Sequence, residues 1–174
     1  MIVVYIVGGL VLLILILAMV APKNFEVSRE IVVNKDKESV FNSLKSIKEQ
    51  TIWSPWSTRD PNMKSEFRGI DGEPGSINYW NGNKDVGEGE QELKGFVPHS
   101  RVDLELRFLK PWKATNQAYF NIEELESGTK VIWGFTGRNK VPMNVMMLFM
   151  NMDKAIGKDF EEGLVQFKKH IEKN

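Results

Sequence analysis

Apolar positions follow two regimes along this chain. From Ile2 to Val20 they run without a charge, IVVYIVGGLVLLILILAMV, and a helix of that length rises about 28 Å, close to the hydrocarbon thickness of a bilayer. The run predicts a transmembrane helix. A cleaved signal peptide is the competing reading, but no basic residue precedes the run and Ala18-Met19-Val20-Ala21 fits a small-x-small cleavage site poorly. Lys23, Arg29, Lys35 and Lys37 follow the span and no side-chain cation precedes it, which directs the remainder to the cytoplasmic side.

Beyond the span the pattern becomes periodic. Phe25, Val27, Ile31 and Val33 are spaced as in a first strand, and Asn34 to Lys37 supply helix-start chemistry before the helical spacing Val40-Phe41-Leu44-Ile47. Gln50 to Pro61 is an aromatic, proline-broken stretch. Strands are then predicted at Met63 to Gly69, Ser76 to Trp80, Gly87 to Phe96, Ser100 to Leu109, Trp112 to Glu124 and Thr129 to Phe135, with Glu73-Pro74-Gly75, Asn81-Gly82 and Ser127-Gly128 as turns. Alternation is clearest in the fourth of these, where Val102, Leu104, Leu106 and Phe108 share one face and Arg101, Asp103, Glu105 and Arg107 the other. Ile156, Phe160, Leu164, Phe167 and Ile171 form the single apolar stripe of a long terminal helix, whose obvious partner is the sheet. The expected division is therefore 1–21 as anchor and 22–174 as one α+β domain, since about 150 residues supply one core and not two.

Composition removes several classes of function. Charges balance at 23 Lys+Arg against 23 Asp+Glu, so the broad basic field of a nucleic-acid binder is missing. With no Cys in the sequence, thiolate zinc sites, cysteine nucleophiles and disulfides are excluded together. Gly-x-Ser-x-Gly and Gly-Lys-Ser/Thr strings are absent as well.

The order of elements and a set of particular residues resemble a known family. Val27-x-Arg29-x-Ile31, Trp53-Ser54-Pro55-Trp56 with Asp60-Pro61, Tyr79-x-x-Gly82, Gly87-x-Gly89, Thr129-x-Val131-x-Trp133 and Ile156-Gly157-x-Asp159-Phe160-Glu161-x-Gly163-Leu164 are similar to the START-like, helix-grip superfamily of polyketide cyclase/dehydrase-like and lipid-transfer proteins, closest to its membrane-anchored bacterial members. The resemblance spans Phe25 to about Ile171. It implies a helix-grip fold, a curved antiparallel sheet wrapped around a long C-terminal helix, here preceded by one N-terminal transmembrane helix in a bacterial inner membrane. It also implies an apolar ligand cavity, but no reaction, because the superfamily has no shared catalytic motif.

The residues themselves say little for catalysis. His170 sits in the last turn of the terminal helix, where a cation suits the helix dipole, and His99 follows Pro98 in a turn; two isolated histidines make no metal site. Glu88, Glu90 and Glu92 repeat about 7 Å apart on one strand face, too far for a tight cation cage, and read as a solvated exterior. On the other face, Gly87 and Gly89 either leave space beneath the helix or mark a bulge. Met143, Met146, Met147, Met150 and Met152 crowd into ten residues and suit core filling, a lid over an adaptable cavity, or a surface dipping into the membrane.

The resulting expectation is a membrane-anchored binding module for a lipid-like or other apolar small molecule, held between sheet and C-terminal helix without a cofactor or metal. Its expected ligand-contacting residues are Trp53, Trp56, Phe67, Trp80, Gly89, Trp133, Phe135, Met146, Met147, Met150 and Phe160. A cyclase/dehydrase-type enzyme on the same cavity and a protein-interaction module are the alternatives.

Overall fold

The computed structural model describes residues 1–173. The apolar run is helix α1, Ile2–Val20, long and apolar enough to cross a membrane, with nearly all of its surface outside any protein contact. Strand β1, Asn24–Val33, follows. Helix α2 covers Lys37–Lys45, and Asp36 accepts the backbone N–H of Ser39 as its N-cap. Six further strands come next: β2, Lys64–Arg68; β3, Ile77–Asn81; β4, Glu88–Val97; β5, Arg101–Lys110; β6, Ala114–Leu125; and β7, Gly128–Arg138. A 3-10 helix, Met143–Leu148, precedes the terminal helix α5, Met152–Lys173.

All seven strands form one antiparallel sheet in the order β1-β7-β6-β5-β4-β3-β2. The chain makes a meander from β2 to β7, and β1 closes onto β7, with Val27 opposite Phe135 and Ile31 opposite Val131. The stretch Gln50 to Pro61, which periodicity leaves without an element, folds mostly as two short helices. Helix α3, Ile47–Trp53, is capped by the Ser46 hydroxyl accepting from Glu49, and α4, Pro55–Arg59, starts with Pro at its first position. Ile47 thus belongs to α3 and not to the end of α2. The β3–β4 connection is also wider than a two-residue Asn-Gly turn: Asn81 stays in the strand, and Gly82 donates to the Gly87 carbonyl across the loop.

The core lies on the concave face, between the sheet and α2, α3 and α5. Val27, Val33, Val102, Leu104, Phe120, Val131, Leu164 and Phe167 are buried there almost completely. Helix α5 packs along β1 and is latched by charge: Arg29 Nε donates to Glu161 at 2.6 Å, and its Nη1 and Nη2 donate to Asp153 at 2.7 and 3.0 Å. A Cβ at Gly157 would collide with Arg29 Nη2, so the guanidinium crosses α5 where that helix has no side chain.

Candidate functional site

Cross-strand partners share a face, which fixes the inner surface of the sheet row by row. Under α5, the inward residues of β1, β7 and β6 meet an aromatic nest. Trp133 stacks on Phe160 with centroids 4.2 Å apart, Trp53 stands edge-on to Trp133, Phe120 and Phe167, and Trp56 stands edge-on to Trp133 and Phe160. Phe135 links the nest to Phe25 and Phe160. Five expected ligand residues, Trp53, Trp56, Trp133, Phe135 and Phe160, are thus brought together, four of them buried and all packed on one another. Their rings fill the space below α5.

The inner surface of β2 to β5 is different. Asn78 faces Gln91 and Phe67 across its two neighbouring strands, Trp80 faces Gly89, Gln91 faces Leu106, and Gly89 faces Phe108. Trp80, Gln91, Leu106 and Phe108 point toward the interior yet remain half-buried, and Phe67 is exposed. These partly covered side chains outline a shallow apolar groove around Trp80, Leu106 and Phe108, which ends where Leu93 and Leu104 of the same strands are fully buried. Trp80 and Phe108 meet edge-to-face at 6.0 Å on one side of it, and Lys48 lies 5.7 Å from the Phe67 ring on the other.

Gly89 does not leave a void in this groove. A Cβ there would meet the Trp80 ring at 2.5 Å and the Arg107 carbonyl oxygen at 2.6 Å. The glycine exists so that the indole can lie flat over the backbone, and the β4–β5 register slips beside it. The space expected beneath the helix at this position is occupied by Trp80.

The polar groups of the groove were the part that sequence reading missed. Gln91 Nε2 donates to Gln50 Oε1 at 2.6 Å, and Gln50 Nε2 donates to the Leu44 carbonyl at 2.7 Å. Asn78 Oδ1, Ser76 Oγ and Trp53 Nε1 are buried without a partner in the protein, a costly condition for polar atoms. Asn78 and Trp80 alternate on β3 as an inward pair, which was the available signal. The amides and the hydroxyl can hydrogen-bond a neutral ligand but do not exchange protons near neutrality, and the Trp53 indole belongs to the packed nest.

Met146, Met147 and Met150 lie elsewhere. They belong to the 3-10 helix and the residues after it, at the end of α1, where the buried Asn144 side chain donates to the carbonyls of Ala18 at 2.8 Å and Ala21 at 3.0 Å. His99 lies tilted against Phe41, with centroids 5.1 Å apart, and His170 Nε2 lies 3.6 Å from Glu49. On the outer face Arg107 bridges Glu90, Glu92 and Glu105. Lys94 and Arg107 together hold the Glu92 carboxyl below its usual range. Among the described residues no group of three His, Asp or Glu is placed to hold a metal ion.

No family model matches the chain, and no curated protein matches it. Solved structures do. An uncharacterized protein from Rhizobium leguminosarum shares 12% identity at a TM-score of 0.62, covering 87% of this chain and 97% of its own. The Aha1 dimer structure from Colwellia psychrerythraea shares 13% at 0.59, covering 84% and 96%. The di-domain ARO/CYC StfQ from the steffimycin biosynthetic pathway shares 10% at 0.62, covering 87% of this chain and 51% of that one. Together with the sheet order and the terminal helix lying on the concave face, these similarities show that the chain has the helix-grip fold.

Proposed function

We propose that the groove over β2 to β5 binds a small, uncharged, mainly apolar molecule carrying a hydrogen-bonding group, and that α1 anchors this binding module in a membrane with the domain on the cytoplasmic side. The supporting observation is the contrast within one concave face: inward Trp80, Leu106 and Phe108 stay half-buried, while Phe120, Val131, Trp133 and Phe135 beneath the helices are buried. A bound apolar body would cover those residues, as in most small-molecule sites. The polar end of the same molecule would find Asn78 Oδ1, which accepts from no protein donor. A cyclase on the same groove needs a group that takes up a proton; the inward polar side chains there, Gln50, Asn78, Gln91 and Ser76, are amides and a hydroxyl, and Lys48 at the rim lies over the Phe67 ring, so binding is the better reading.

Retention of α1 is favoured by Asn144, whose buried amide would lose its Ala18 acceptor if the helix were removed. The test is native mass spectrometry of the detergent-released full chain, followed by solvent extraction. A discrete apolar small molecule retained by a chain that still begins at Met1 is the expected result. A mature N-terminus near Ala21 removes the anchor, and a ligand-free chain under several gentle detergents removes the carrier function.

A further inference from the structure

The two ends of the sheet differ in what they expose. At one end, α1 delivers the chain into β1 at Asn24, and the β3–β4 loop, the Pro111-Trp112-Lys113 turn between β5 and β6, and the β7–α5 connection all gather there. Trp112 is 79% exposed and Phe149 81%, and Val141, Met143, Met146 and Leu148 are exposed beside them. Among the described residues, Lys23, Lys113, Arg138 and Lys140 of this end have no carboxylate within ion-pair distance, whereas Glu88 is held by Lys110 and Asp153 by Arg29. Asp60 accepts backbone N–H groups of Asn62 and Asn83 and Glu26 accepts from the Tyr119 hydroxyl, and among the described residues neither these nor Asp85 has a cation within ion-pair distance. The opposite end carries Asp36, Asp71, Glu73, Glu124 and Glu126 in its loops and strand ends, together with Lys35 and Lys37.

The position of the apolar cluster along α1 is set by Asn144. Its contact with the Ala18 carbonyl lies about 4.5 Å, three helical rises, back from Ala21 toward the middle of the apolar span. The flanking Met143, Met146 and Met147 are thereby held level with the last turn of a helix that ends at a bilayer surface. Exposed Trp and long cationic side chains are the groups that partition to that boundary.

We propose that this end of the sheet docks on the bilayer that α1 enters. Trp112 and the 3-10 helix sit in the lipid interface, Lys23, Lys113, Arg138 and Lys140 face anionic phosphate headgroups, and the groove at Trp80 and Phe108, near the same strand ends, opens toward the lipid. The proposal rests on the reading of α1 as a retained anchor, and it adds that the groove takes its ligand from the membrane it faces.

The experiment uses the full chain reconstituted in vesicles of phosphatidylcholine with a minority of phosphatidylglycerol, with acyl chains brominated near the headgroup to quench tryptophan. The expected result is a quenchable part of the emission that is mostly lost in Trp112→Phe and that falls several-fold in a Lys113→Glu/Lys140→Glu variant or without phosphatidylglycerol. Equal quenching in wild type and Trp112→Phe overturns the docking. Quenching that ignores both charge changes overturns the headgroup contacts. Alkaline carbonate extraction of the same vesicles separates the two readings: a chain that stays with the lipid while Trp112 is unquenched retains its anchor but does not dock, and a chain that is extracted overturns both.

Discussion

One sheet carries two unlike halves. On the β1-β7-β6 half, α5 lies close, Trp133 stacks on Phe160, and Arg29 ties the helix to the first strand. On the β2-β3-β4 half, continued by the inward side of β5, aromatic side chains of the same kind face inward and stay half-covered, with unpaired polar atoms beneath them. Both halves follow the same alternation. What separates them is the cover: the long helix α5 lies along β1, whereas β3 and β5 meet the short helices α3 and α2. The gripped half holds the aromatic nest, and the half beyond the helix stays partly uncovered.

Truncation of the gripped half should have the largest effect. Phe160 is 3% exposed and touches Trp133, Trp56 and Phe135, so Phe160→Ala should cost about 3–5 kcal/mol in denaturant titrations. A cost below about 1 kcal/mol would show that the nest is not the core and would dissolve the distinction between the halves. The glycines of α5 sharpen it. A Cβ at Gly163 meets the Trp133 ring at 2.7 Å and Pro55 at 3.2 Å, neither of which can swing aside; Gly163→Ala should therefore lose about 1–2 kcal/mol, overpacking outweighing the better helix propensity of Ala. At Gly157 the obstacle is the end of the Arg29 side chain. Its exposed ion pairs are worth about 1 kcal/mol or less each, similar to the gain of Ala over Gly in a helix. Gly157→Ala should stay within about 1 kcal/mol of wild type, and a loss as large as that of Gly163→Ala would contradict the ranking.

The smallest effect is that of acid. Hydrogen bonds from Arg29 hold the Asp153 carboxyl below its usual range, and Lys94 and Arg107 do the same for Glu92. Depressed carboxylates stabilise the fold above their unfolded pKa, and that contribution fades as pH falls through the folded value. Stability should thus decline gradually below about pH 4.5, and Asp153→Asn should flatten part of the slope. An unchanged pH profile in that variant would remove Asp153 from the latch.

The alternation of β1 and of β5 to β7, the stripe of α5 and the uncharged span of α1 were all legible in the sequence, because each is a local period that burial enforces. The family-like residues were legible too, but their reason was not. Arg29, Gly157 and Glu161 form one contact, as do Trp133, Phe160 and Gly163, and such pairings join positions more than a hundred residues apart or on opposite elements. The same distance hid the groove. Gly89 suggested missing volume because nothing local announced that Trp80, two strand positions beyond Asn78, lies on top of it. Trp53 and Phe160 were expected at a ligand when they are packing partners in the nest. Asn78 was passed over because a buried amide becomes conspicuous only when its neighbours are known to leave it unpaired.

The most direct test of the central claim is a binding titration of residues 22–174 with N-phenyl-1-naphthylamine, an apolar probe with one N–H donor, beside Trp80→Ala and His99→Ala. The wild-type fragment should unfold cooperatively and bind the probe more tightly than about 100 μM, roughly −5.5 kcal/mol. Trp80→Ala should weaken binding about tenfold, a loss of about 1.4 kcal/mol, with much less effect on stability than Phe160→Ala. His99→Ala should change nothing, since His99 packs on Phe41 outside the groove. A folded fragment that binds no apolar probe in this range, or one whose affinity is indifferent to Trp80, would contradict the assignment of the groove as the ligand site.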